Sequence, residues 1–230
     1  MLDDQIIVGA ALVAILIFSL GLHEMAHAAV AYRCGDDTAK RLGRITPNPI
    51  KHIDPFLTVI LPALLYFVLP RILGTPPLMF GGAKPVPVVP MNLRHPYRDM
   101  MWVALAGPAT NFVLAFLSLL ALKASLTWFD VAPRDVVAQI LVGSAKFNLL
   151  LTVFNLLPIP PLDGSRVLTY VLPSRLREPY MSLSFIGIPL VFALVFFVPG
   201  GQETLFRWLD ALYHWMGSGV EGLFSLVRKG

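Results

Sequence analysis

Four stretches of this chain, residues 5–22, 55–70, 100–122 and 179–202, carry no charged side chain over 18, 16, 23 and 24 positions respectively. A helix needs about 20 apolar residues to cross the hydrocarbon of a bilayer, so these runs constrain the fold more than any other feature. A fifth stretch, 136–157, is apolar except for Lys146 and Asn148 and reads as a further span. Only 14% of the 230 residues are charged and the mean hydropathy is +0.70, whereas soluble chains carry roughly 25% charged residues. The chain lacks the polar surface to cover itself in water. Disorder and nucleic-acid binding are excluded, and the single cysteine, Cys34, excludes a disulfide scaffold. Asp3 and Asp4 stand where a signal peptide is basic, so the first run is expected to remain in the mature protein.

The expected architecture is an all-α polytopic membrane protein with about 4–6 transmembrane helices. It forms a single domain over 1–230, with its core at 5–172 and C-terminal helices at 179–230. Basic residues orient it, because they concentrate on the cytoplasmic side of membrane proteins. Arg33, Lys40, Arg41, Arg44 and Lys51 follow the first run. Lys84, Arg94 and Arg98 precede the 100–122 run, and Arg166, Arg175 and Arg177 follow Leu162. All three groups are expected inside. A single crossing by 55–73 would place Lys84, Arg94 and Arg98 outside. Pro55, Pro62, Pro70, Pro76 and Pro77 also interrupt that region, so a re-entrant or interfacial hairpin is expected there. Residues 203–229 mix apolar and charged positions and suit an interfacial or bundle-packed amphipathic helix.

Chemistry appears where a span should hold none. His23-Glu24-Met25-Ala26-His27 directly follows the first run. Ionisable groups at membrane depth cost at least ~2.5 kcal/mol for a central carboxylate and mark functional sites. In a helix, His23 and His27 lie about 40° apart and roughly 6 Å along the axis, so both imidazoles can reach one ion. Glu24 is turned by about 100°, which suits contact with a water beside that ion. This is the mechanical content of the H-E-x-x-H pattern.

A catalytic zinc takes three protein ligands and leaves one position open. Asp163 is the candidate third ligand, closing the 136–157 span at the end where His23 and His27 emerge. Pro158, Pro160 and Pro161 stop that helix, and Gly164 permits close backbone approach. A turn in which Asp163 caps the following helix fits the same residues.

Together these motifs resemble the site-2 proteases, intramembrane zinc metalloproteases that cleave membrane-spanning substrates in regulated intramembrane proteolysis. The resemblance rests on His23 to His27, on Asn155 through Gly164 with its Leu-Asp-Gly ending, and on Gly107-Pro108-Ala109-Thr110-Asn111. Residues 45–55 and 82–87 add further matches to compact prokaryotic members. It implies that His23, His27 and Asp163 bind one Zn2+ per chain and that Glu24 is the general base. Asn155 would hold a substrate carbonyl or oxyanion, or else simply cap its helix. The family's best-known members have another span before the H-E-x-x-H helix, and none of their PDZ-like or nucleotide-binding modules is seen here.

Residues 82–89 alternate prolines with valines and suit an extended edge strand of a small membrane-associated β element, to which an unwound substrate could pair. A proline-stiffened loop is the plainer reading. Gly82, Lys84, Val86 and Asn111 are the candidate substrate contacts, although Asn111 also suits an interhelical hydrogen bond. His52 and His95 read as interfacial residues able to approach the zinc as outer partners. The expected partners are a transmembrane substrate and the lipid bilayer of the inner membrane, with the active site towards the cytoplasm. A non-catalytic metal-binding scaffold or metal carrier is the alternative function.

Overall fold

The computed structural model describes residues 2–73, 81–196, 198 and 200–229. The chain folds into helices α1 (Leu2–Arg33), α2 (Thr38–Arg41), α3 (Pro55–Ile72), α4 (Pro96–Trp128) and α5 (Val136–Asn155). These are followed by α6 (Asp163–Val171), α7 (Ser174–Met181), α8 (Ser184–Phe196) and α9 (Gly201–Lys229). Among the described residues α1, α3, α4 and α5 are long and apolar enough to cross a membrane.

Lipid tails give helices no hydrophobic incentive to associate, so small residues and interhelical hydrogen bonds hold such bundles together. Here α4 and α5 run antiparallel. Asn111 Nδ2 donates to Asn148 Oδ1 at 3.4 Å, the Ser118 and Ser144 hydroxyls meet at 2.8 Å, and Thr152 Oγ1 donates to Pro108 O at 3.3 Å. Ala115 and Ala145 are fully buried between them. α1 packs on α5 through Leu16 and Leu20 against Phe147 and Leu151. Along the same pair of helices α9 buries Leu209, Met216 and Val220, with Lys146 facing Asp210 at 3.3 Å and Lys123 facing Glu221 at 3.6 Å. The C-terminal segment is therefore a bundle-packed helix.

Three expectations are corrected. Residues 55–72 form one helix rather than a hairpin, because Asp54 and Pro55 start it instead of breaking it. The Asp54 carboxylate caps the Phe56 and Leu57 amides at 3.0 and 2.9 Å, and a proline in the first turn gives up only an N–H that has no helical partner. Interior Pro62 and Pro70 are accommodated by widened π turns over Pro55–Ile60 and Leu64–Val68. Pro76 and Pro77 lie outside the described residues. Second, the 179–202 run is not one span among the described residues: Ser182 and Leu183 form a turn between α7 and α8, and α8 has 13 residues. Third, the described residues contain no strand, so the small β element is absent from them.

Residues 81–89 are extended, as the prolines require, but side chains and loop carbonyls take the groups that a ladder would use. Gly82 N–H donates to Leu57 O at 3.0 Å, Gly82 O accepts from Thr58 Oγ1 at 2.6 Å, and Lys84 N–H donates to His52 O at 2.9 Å. Val89 N–H donates to Asp36 Oδ2 at 2.7 Å. Asp36 is fully buried. Burial alone would raise its pKa, but the hydrogen bonds from Thr38, Val89 and Asn92 outweigh that and hold the carboxyl below its ordinary value. The segment thus lies beside the start of α3, at the end of the bundle that also carries Arg33, Lys40, Arg41 and Arg44.

Candidate metal centre

α1 runs without interruption through the H-E-x-x-H residues and presents His23 and His27 from successive turns of one face. The two Nε2 atoms are 2.9 Å apart. Asp163, the first residue of α6, brings Oδ2 to 3.2 Å from His23 Nε2 and 3.3 Å from His27 Nε2. The imidazoles are 5% and 7% exposed, so the cluster sits inside the protein. Three residues from two regions 136 positions apart meet at one point, as depth matching along the bundle predicts.

The other ring atoms decide what this point can hold. His27 Nδ1 donates to Val103 O at 2.6 Å, and His23 Nδ1 donates to Asn111 Oδ1 at 2.8 Å. A carbonyl can only accept, and Asn111 turns its Nδ2 towards Asn148, so both Nδ1 atoms carry a proton and each Nε2 is the ring atom turned towards Asp163. In the neutral tautomer that ligation needs, each Nε2 presents a lone pair beside a carboxylate oxygen. Asp163 Oδ2 is buried without a hydrogen-bond donor. Two ring nitrogens and a carboxylate oxygen converge within 3.3 Å of one another, an arrangement that a proton or a metal cation can bridge. A tetrahedron with metal–ligand bonds of ~2.0–2.1 Å has edges of roughly 3.3–3.4 Å, close to the two nitrogen–oxygen separations. Imidazole, imidazole and carboxylate is also a donor set suited to zinc.

Glu24 has an oxygen within 4.8 Å of the same nitrogens, yet its Oε2 is engaged elsewhere, accepting the Val86 N–H at 2.7 Å. Its carboxylate therefore lies beside the cluster with one oxygen fixed. Val86 adjoins the site; Gly82 and Lys84 tie the extended segment to α3 and to His52. Asn111 is fully buried, and its contact with His23 makes it a partner of a ligand rather than a surface that a substrate could touch. Asn155 Nδ2 donates to Leu151 O at 3.0 Å within its own helix. His52 is bonded to Thr46 O and His95 to Arg98, so neither reaches the imidazoles.

Gly107 is the residue whose role the sequence does not reveal. A Cβ there would lie 2.5 Å from His23 Cε1, His23 Nε2 and His27 Nε2, so only glycine lets α4 close over the two rings while supplying Val103 O and Asn111. Gly164 is required similarly, since a Cβ would lie 2.2 Å from Leu156 O. Gly107→Ala is expected to lower metal affinity by at least the roughly 10- to 100-fold typical of disturbed outer partners, with helix content unchanged. Metal titration alongside circular dichroism checks this, and wild-type affinity would contradict it.

The model of peptidase family M50 matches residues 130–198, a region that includes Asp163. "Putative zinc metalloprotease YwhC" of Bacillus subtilis is 37% identical over 207 residues, covering 87% of this chain and 86% of that protein. "Putative zinc metalloprotease Rip2" of Mycolicibacterium smegmatis is 32% identical over 205 residues, covering 86% and 70%. "Putative zinc metalloprotease MJ0611" of Methanocaldococcus jannaschii is 34% identical over 89 residues, 39% of each chain. No solved structure matches at comparable significance.

Proposed function

The chain belongs to peptidase family M50, the site-2 protease family, and from that premise we propose that it is a zinc metalloendopeptidase cutting peptide bonds within or near transmembrane segments of other membrane proteins. The observation that carries this reading is the convergence of His23 Nε2, His27 Nε2 and Asp163 Oδ2 beside a carboxylate, Glu24, that is not needed to complete the ligand set. A purely structural zinc site is closed by four protein ligands. The scaffold or carrier reading would need Glu24 as a fourth ligand, yet its Oε2 is held by the Val86 N–H at 2.7 Å.

In this reading His23, His27 and Asp163 hold the ion, while Val103 O and Asn111 hold the rings in the tautomer that ligation needs. Zinc, when bound, supplies Lewis acidity, polarising a carbonyl and acidifying water towards a pKa of ~7. Glu24 moves the proton. With Oε2 held by the Val86 amide, Oε1 is the free oxygen, and it takes a proton from the attacking water as the water oxygen bonds to the scissile carbonyl carbon. The same proton then passes to the departing amide nitrogen as the C–N bond breaks, so no further acid is required. Asn155, at the end of α5, is assigned to the substrate carbonyl. Val86 borders the path of the unwound substrate, with Gly82 and Lys84 anchoring that border.

The whole chain acts as one membrane-embedded unit. In this reading the site lies on the cytoplasmic face of the cell membrane, which the basic residues around it support, and the substrate is a membrane-spanning protein engaged in regulated intramembrane proteolysis. Purified protein in detergent or nanodiscs is expected to contain one zinc per chain and to cleave a membrane-spanning reporter. A chelator should abolish that cleavage and added zinc restore it. Cleavage that persists after the metal is stripped would overturn the proposal.

A further inference from the structure

Arg44 is 9% exposed, and among the described residues its guanidinium has no carboxylate partner. A charge buried in this way is costly unless hydrogen bonds compensate it. Its place is set by two turns of the same design. Gly35 and Gly43 take left-handed φ of 114° and 64° at the ends of α1 and α2. The following residues close the helix ends, with Asp36 N–H donating to Ala31 O at 3.0 Å and Arg44 N–H to Ala39 O at 2.9 Å. Both closing residues are buried, and both turn their side chains onto the extended segment.

Arg44 Nη2 donates to Lys84 O at 2.6 Å and lies 3.4 Å from Pro85 O. Pro85 O and Val86 N–H belong to one planar peptide group, and that N–H is the donor to Glu24 Oε2. Pro85 and Pro87 have no N–H, so Val86 is the sole amide donor of the three. A cation at the carbonyl end and a carboxylate at the amide end polarise the peptide in the same sense, which strengthens both contacts.

Building on the assignment of Glu24 as base, we propose that Arg44 is a positioning residue for the hydrolysis: it clamps the Lys84–Val86 backbone so that the Val86 amide fixes one Glu24 oxygen and leaves the other free. Arg44 directs the hydrogen bonds of its guanidinium to the Lys84 and Pro85 carbonyls, not to His23, His27 or Asp163. It acts through a peptide group, so its removal loosens Glu24 while leaving His23, His27 and Asp163 in place.

Arg44→Met is expected to lower kcat on the membrane-spanning reporter by roughly 10- to 100-fold, the range expected when a catalytic group is misplaced by about 1 Å, with KM, zinc content and Tm near wild type. Hydrogen exchange at the Val86 amide should quicken both in Arg44→Met and in Glu24→Ala. Arg44→Lys, which keeps a cation near the Lys84 carbonyl but loses the broad guanidinium, should give an intermediate kcat; it carries the test if the methionine variant does not fold. Unchanged Val86 exchange, wild-type kcat in the folded variants, or a kcat loss that merely tracks losses of zinc and Tm would overturn the proposal. The exchange measurement needs no activity. An inactive wild-type protein with Arg44-dependent Val86 protection would therefore refute the hydrolase reading and leave the clamp standing.

Discussion

Glu24→Gln is expected to keep its zinc and to lose cleavage of a membrane-spanning reporter by about 10²- to 10⁴-fold, the range that a positioned general base contributes. The isosteric amide preserves what the structure asks of this side chain in the resting protein, because Gln Oε1 can accept the Val86 N–H as Glu24 Oε2 does at 2.7 Å. It cannot take a proton from water at neutral pH. The variant therefore separates chemistry from assembly. Elemental analysis gives the metal content, and a gel assay of the reporter gives the rate. Retained proteolysis would contradict the assigned base. Loss of zinc together with activity would instead make Glu24 a ligand, the one alternative that its position within 4.8 Å of the imidazole nitrogens allows.

Parts of this site that depend on local periodicity were legible in the sequence, and parts that depend on what lies opposite were not. His23 and His27 could be paired because a helix repeats every 3.6 residues. Asp163 could be joined to them because spans of known length fix the depth at which their ends emerge. The same counting misjudged 179–202, whereas at 55–73 it was the prolines and the positive-inside rule that misled. An uncharged run records hydrophobicity but not where a helix starts or turns: Asp54 with Pro55 is a start signal, and the turn at Ser182 and Leu183 interrupts a run that looks continuous. The extended course of 81–89 followed from its prolines, whereas its partners did not. They are Glu24, Asp36 and Arg44, at separations of 62, 53 and 40 residues, and no spacing rule reaches that far. Gly107 belongs to the recognised Gly-Pro-Ala-Thr-Asn stretch, but its indispensability comes from two rings on another helix. Gly35 and Gly43 are helix-end signals visible in the sequence, but nothing in their spacing says where the Asp36 and Arg44 side chains turn.

Asp163→Ala is expected to abolish stoichiometric zinc binding, a larger effect than the roughly 10- to 100-fold loss from disturbing an outer partner such as Asn111. Asp163 brings a carboxylate oxygen to 3.2 and 3.3 Å from the two Nε2 atoms, and without it two imidazoles remain as the ligands of this set. The stability consequence differs in size between the two metal states. In metal-free protein Asp163 Oδ2 faces the two imidazoles at 3.2 and 3.3 Å, a contact whose removal is expected to lower Tm by less than the loss of bound zinc does. In the presence of zinc the wild type gains stability by mass action, about 2.7 kcal/mol when free metal is 100 times its Kd, and the variant does not. Thermal melts of both proteins with chelator and with added zinc should therefore show a larger deficit for the variant in zinc than in chelator. A variant that melts lower than wild type by the same margin in both conditions would assign Asp163 to a structural cap on α6. Normal zinc content would remove it from the ligand set.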